Sequence, residues 1–111
     1  MNHLPTALGG TTEPVLQEVV RALARCVEGA GAVSFVLFGS RATGASHDRS
    51  DWDIGVLRDH PLTPAERARM HAVLEDWPTL HALQLVDLSA VSEAFRRNAL
   101  AQAITLAKIA A

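Results

Sequence analysis

The stretch Val33-Ser34-Phe35-Val36-Leu37-Phe38-Gly39-Ser40-Arg41-Ala42-Thr43-Gly44, followed after six residues by Asp51-Trp52-Asp53-Ile54, decides how this chain reads. The run 32–38 is apolar on both of its faces, which is the pattern of a strand covered on two sides. Gly39 lets the chain turn sharply as it leaves that strand, because it has no Cβ to clash at positive φ. If residues 40–43 open a helical turn, their backbone N–H groups and the Ser40 hydroxyl form an anion site above the strand, suited to a triphosphate. Asp51 and Asp53 stand two residues apart on the next strand. Strand side chains alternate, so both carboxylates leave the same face, while Trp52, Ile54 and Val56 leave the other and pack on helices. Two carboxylates beside a phosphate cradle suit Mg²⁺, which takes oxygen ligands from carboxylates and from substrate phosphates.

Working outward, residues 1–11 read as a loose lead-in. Thr12 as cap and Pro14 in the first turn open a helix whose apolar stripe is Leu16, Val19, Val20, Leu23 and Val27, ending at Gly29 and Gly31. Residues 45–50 are a polar loop, and a second strand covers 51–58. Thr63-Pro64-Ala65-Glu66 is a capping box with Pro at the first helical position, and that helix must stop by Asp76 because Trp77 precedes Pro78. A third strand covers 82–88, and Ser89 caps a last helix over 90–109. The expected architecture is α/β (α+β): a small mixed sheet of about three strands flanked by about four helices on one face.

The bulk properties restrict the function classes. The 111 residues suit one domain, 1–111, with one core. A net charge of −2 shows no basic excess, which argues against a partner such as long DNA or RNA. The single Cys26 rules out an intrachain disulfide and fits a reducing, cytoplasmic setting. No signal peptide and no membrane-spanning run is expected. His3, His47, His60, His71 and His81 have neither zinc-ligand spacing nor a cysteine companion, so zinc is not expected. Trp52 and Trp77 read as core anchors, and Cys26 as buried packing.

Gly39-Ser40, Gly44 and Ser50-Asp51-Trp52-Asp53-Ile54 resemble the G-S-x-x-x-G … S-D-x-D-hydrophobic signature of the polymerase-beta-like nucleotidyltransferase superfamily. The short chain resembles its minimal nucleotidyltransferase branch, often paired with HEPN-domain toxins, and the likeness runs from about residue 12 to residue 108. Two positions depart from the pattern: Thr43 stands where members typically read Arg, and Trp52 replaces a small aliphatic residue. The resemblance implies a polymerase-beta-like fold and transfer of AMP from ATP to a hydroxyl of a partner protein. That partner would be a HEPN toxin, and the chain its antitoxin. Asp51 and Asp53 would hold two Mg²⁺ ions roughly 3.5–4 Å apart. Gly39, Ser40, Arg41, Gly44 and Ser50 would bind the nucleoside triphosphate.

Two-metal transfer usually takes a third carboxylate from a neighbouring strand. Asp87, near the end of the apolar strand Leu85-Val86-Asp87-Leu88, is the candidate, as metal ligand or base. Its rival reading is a strand-end acid that bridges to the next helix. Arg41 has two readings, a phosphate contact or a salt bridge, while Arg96 and Arg97 read as solvated. On the last helix Phe95, Ala99, Ala103, Leu106 and Ala110 form one stripe, with Leu100, Ile104 and Ala107 beside it. That wide arc would serve a homo- or hetero-oligomer contact through the C-terminal helix, or would pack on the sheet. Two other functions fit the same residues: transfer to a small molecule such as an aminoglycoside, and neutralisation of a partner by docking alone.

Overall fold

The computed structural model describes residues 13–27, 31–39, 52–77, 83–101 and 103–109. In chain order the elements are α1 (Glu13–Ala24), β1 (Val33–Phe38), β2 (Trp52–Leu57), α2 (Pro64–Glu75), β3 (Leu83–Asp87), α3 (Glu93–Ala101) and β4 (Ile104–Ile109). The four strands make one sheet in the order β3-β2-β1-β4. The β1–β2 and β1–β4 pairs are antiparallel and the β2–β3 pair is parallel. A parallel neighbour needs a crossover connection, and α2 provides it between β2 and β3.

The core is set by which strand residues share a face. On the first face Val33, Phe35, Leu37, Trp52, Ile54 and Val56 pack with Leu16, Val19, Val20 and Leu23 of α1 and Met70 and Leu74 of α2. On the second face Val36, Phe38 and Leu88 pack with Ala99 and Leu100 of α3. This is why the run 32–38 is apolar throughout: β1 is central and both of its faces are covered. The helices therefore divide between the two faces of the sheet instead of sharing one. Gly55 sits where the second layer comes close: a Cβ there would lie 2.5 Å from Leu88 Cδ1.

Among the described residues there are three helices and four strands, and the C-terminal region differs most from expectation. The last helix ends at Ala101, and Ile104–Ile109 is an edge strand paired with β1. Helix propensity, even that of Ala, is weak beside tertiary contacts. An open edge of a central apolar strand offers a full ladder of backbone hydrogen bonds and a core face for Leu106, which is buried. The register shifts between Phe35 and Val36, which face Ala107 and Thr105 respectively, leaving Leu106 as the extra residue of a bulge. The apolar arc expected on one helix is thus split between α3 and β4, and no contact surface runs along a single C-terminal helix.

Helix ends also carry corrections. The first helix stops at Ala24, earlier than the glycines; Cys26 N–H donates to the Leu23 carbonyl at 2.9 Å and so tightens the last turn. Its expected cap Thr12 and the stop at Gly29 lie outside the described residues. The cap of α3 is Ser92, whose Oγ accepts from Phe95 N–H at 3.1 Å. Ser89 instead clasps Arg58, accepting from its N–H and donating to its carbonyl, both at 2.9 Å. The box on α2 forms as expected: Thr63 Oγ1 accepts from Glu66 N–H at 3.1 Å, and Glu66 Oε1 accepts from Thr63 N–H at 2.8 Å. No helix among the described residues is long and apolar enough to cross a membrane.

Candidate functional site

The site is built where β1 ends and β2 begins. Phe38, the last residue of β1, pairs with Asp53, so the two side chains share the second face of the sheet. Gly39 follows at φ +78°, a conformation that L side chains rarely adopt. A Cβ on Gly39 would lie 2.6 Å from Asp53 Oδ2. The turn is therefore glycine for two reasons: the backbone needs positive φ, and the half-buried Asp53 carboxylate occupies the space a side chain would take. Above them Phe95 of α3 stacks edge-on against Phe38, with ring centroids 6.3 Å apart and an interplanar angle of 84°. Phe95 stays 46% exposed.

Asp53 fits a divalent cation, being an oxygen donor on a strand at the mouth of the sheet beside a glycine turn that leaves its carboxylate room. Ser40, Arg41, Gly44, Ser50 and Asp51 lie outside the described residues. Among the described residues no group of three or more His, Cys, Asp or Glu is placed to hold a metal ion.

Asp87 is not part of this site. In the parallel ladder Asp87 is level with Val56, whereas Asp53 is level with Gln84. Asp87 is thus three positions along and on the opposite face from Asp53, the face of Ile54 and Val56. Its Oδ2 accepts from Leu62 N–H at 2.8 Å and its Oδ1 from Ser89 N–H at 3.0 Å. The Arg67 guanidinium stands 3.7 Å from Oδ2. These partners satisfy the carboxylate and pin the loop before α2 to the turn after β3, a structural tie that differs from the expected bridge to the next helix, whose cap is Ser92. The strand itself carried the signal: in Leu83-Gln84-Leu85-Val86-Asp87, Asp87 is in phase with two leucines.

Arg96 is tied to backbone, donating to the Leu88 carbonyl at 2.7 Å, and exposed Arg97 pairs with Glu93 at 3.1 Å. Cys26 is buried and its Sγ donates to the Ala22 carbonyl at 3.5 Å. Burial raises the thiol pKa, partly opposed by Arg69 and Arg25, in keeping with a packed thiol.

Residues 26–109 match the domain family described as "Polymerase beta, Nucleotidyltransferase". The chain belongs to this nucleotidyltransferase family. Three solved structures resemble the nucleotidyltransferase. One is a toxin–antitoxin crystal structure with AMP-PNP, 25% identical, with a TM-score of 0.62, covering 82% of this chain and 72% of that one. Another is a tri-AMPylated Shewanella oneidensis HEPN toxin in complex with its MNT antitoxin, 20% identical, TM-score 0.61, covering 85% and 71%. A third is a double Asp-to-Glu mutant of the MntA–HpeT toxin–antitoxin, 20% identical, TM-score 0.62, covering 83% and 71%. No curated protein sequence matches the nucleotidyltransferase.

Proposed function

We propose that this chain transfers AMP from ATP, with Mg²⁺, to a hydroxyl of a HEPN-type toxin and so neutralises it as an antitoxin. The observation that carries the reading is the turn at Gly39, held at positive φ against the Asp53 carboxylate, in a chain of the nucleotidyltransferase family. The AMP-PNP complex of a similar toxin–antitoxin supports ATP as the donor, and the AMP groups on the Shewanella oneidensis toxin supply the chemistry proposed.

In this reading Asp51 and Asp53 are the catalytic carboxylates and hold Mg²⁺, while Gly39, Ser40, Arg41, Gly44 and Ser50 seat the triphosphate. Bound Mg²⁺ supplies charge neutralisation to the phosphates. The acceptor oxygen attacks the α-phosphorus; a P–O bond forms to it as the bond to the β-phosphate breaks. Pyrophosphate leaves, and the hydroxyl proton passes to solvent. The protein's part is positioning and electrostatics, which dominate such transfers.

The test is mass spectrometry of a co-expressed HEPN partner with ATP and Mg²⁺, comparing wild type with Asp51→Ala/Asp53→Ala. The expected result is one or more AMP groups on the partner with wild type only. A stable complex with no mass gain in either case favours docking alone. Transfer to an aminoglycoside with none to the partner favours the small-molecule reading.

A further inference from the structure

The register of β2 and β3 identifies the residue beside Asp53, and it is not an acid. Gln84 is the Cα partner of Asp53 in the parallel ladder. Paired residues on parallel strands stand side by side on one face, with strands about 4.8 Å apart. That face is the one bearing Phe38 and Gly55, because Phe38 pairs with Asp53 and Gly55 follows two residues on. Gln84 is exposed there, whereas Leu83 and Leu85 turn the other way into the core. Among the described residues β3 is an edge strand, with no further strand beyond Gln84. The one acid of β3, Asp87, is committed on the opposite face to Leu62, Ser89 and Arg67.

We infer that Gln84 is the third member of the site, a carboxamide flanking Asp53 at the position where a neighbouring-strand carboxylate would complete a metal centre. This rests on the nucleotidyltransferase reading above. An amide offers one neutral acceptor oxygen and two N–H donors, and it takes up no proton near neutral pH. The site therefore carries one negative charge fewer than a three-carboxylate centre. Asp53 meets no like charge from this strand, the site binds a divalent cation more weakly, and it offers no base on this strand for the acceptor hydroxyl. Gln84 acts as a positioning residue: it presents an oxygen or an N–H to what Asp53 binds.

The probe is Mn²⁺ alone, titrated into the full chain and read by the electron paramagnetic resonance of the free ion. Circular dichroism melting of each variant serves as the folding control. Gln84→Asp is expected to tighten Mn²⁺ binding about tenfold or more, since affinity follows the charge count of the ligands. Asp53→Ala should abolish binding. Asp87→Asn should lower the melting temperature and leave Mn²⁺ affinity unchanged. Unchanged affinity in folded Gln84→Asp overturns the inference, as does a tenfold loss in folded Asp87→Asn. Mn²⁺ binding that depends on Asp53, with AMP transfer intact but no response to Gln84→Asp, sinks this inference and leaves the function standing. Absence of Mn²⁺ binding in every folded variant, Gln84→Asp included, overturns this inference, whereas absence of AMP transfer by the wild type overturns the function.

Discussion

At the scale of single residues, two side-chain placements each do two jobs, and each yields a prediction. Gly39 combines positive φ with a carboxylate in its Cβ space. Gly39→Ala should lose about 1–2 kcal/mol of stability from backbone strain alone. It should also push the Asp53 carboxylate aside, so AMP transfer falls further than stability does; urea unfolding and a transfer assay on the same sample separate the two. Glu66 is fully buried, yet it serves both the cap of α2 and an ion pair with Arg58, whose side chain is 4% exposed. Arg58 Nη1 donates to Glu66 Oε2 at 2.8 Å and Nη2 donates to Oε1. The hydrogen bond to Glu66 is the main cause raising the Arg58 pKa, so the guanidinium stays charged at every working pH. Glu66→Ala strands that charge in the interior and should cost about 3–5 kcal/mol by chemical denaturation. The capping box was legible from Thr63-Pro64-Ala65-Glu66 alone, but the ion pair was not, because Arg58 reaches Glu66 only once β2 and α2 are packed.

At the scale of elements, local pattern and tertiary demand disagree in the C-terminal region. Phe95, Ala99, Ala103 and Leu106 fall at helical spacing, and Ala is the strongest helix former. The chain nevertheless leaves α3 at Ala101 and adds β4 to the free edge of β1. A strand at that edge satisfies the outward backbone groups of β1, which a helix could not do. Leu106→Ala distinguishes the two: in a frayed helix end it would cost a few tenths of a kcal/mol, whereas buried in the first-face core it should cost about 2–5 kcal/mol. Thermal melts of that variant, with hydrogen exchange of the β1 amides, provide the check. The pairing of β2 with β3 is the same lesson in a different place. Strand existence was readable from Leu83-Gln84-Leu85-Val86-Asp87, but which residue stands beside Asp53 depends on a register that the crossover helix sets.

For the whole molecule, the alkaline stability profile isolates one group. The chain has no tyrosine, Lys108 is its one lysine, and its other basic residues of high pKa are arginines. Burial raises the Cys26 thiol above its ordinary 9.0, so the folded state resists ionisation that the unfolded chain allows. The sign follows by linkage: the stability is fully present below the unfolded thiol pKa and falls as pH rises from there through the higher folded value. Urea midpoints measured from pH 7 to pH 10, a range in units of about three, should therefore decline in the upper part for wild type. Cys26→Ala should show a flatter profile there. A wild-type profile as flat as that of the variant would mean that Cys26 is more accessible to water than its burial in the core implies.

Local chemistry determined much of this protein. The doubly apolar β1, the glycine at the strand end, the alternation around Asp53 and the cap of α2 are each fixed by residues within a few positions of one another. Periodicity and φ preference act at that range, so they are written in the chain itself. What only the tertiary structure decided are the long-range pairings: β4 at the edge of β1, Ser89 on Arg58, Asp87 on Leu62, and Gln84 beside Asp53. A carboxylate has the same sequence signature whether it faces a cleft or closes a loop. Strand register selects between the two, because one face of β3 meets the core while the other shares its surface with Asp53.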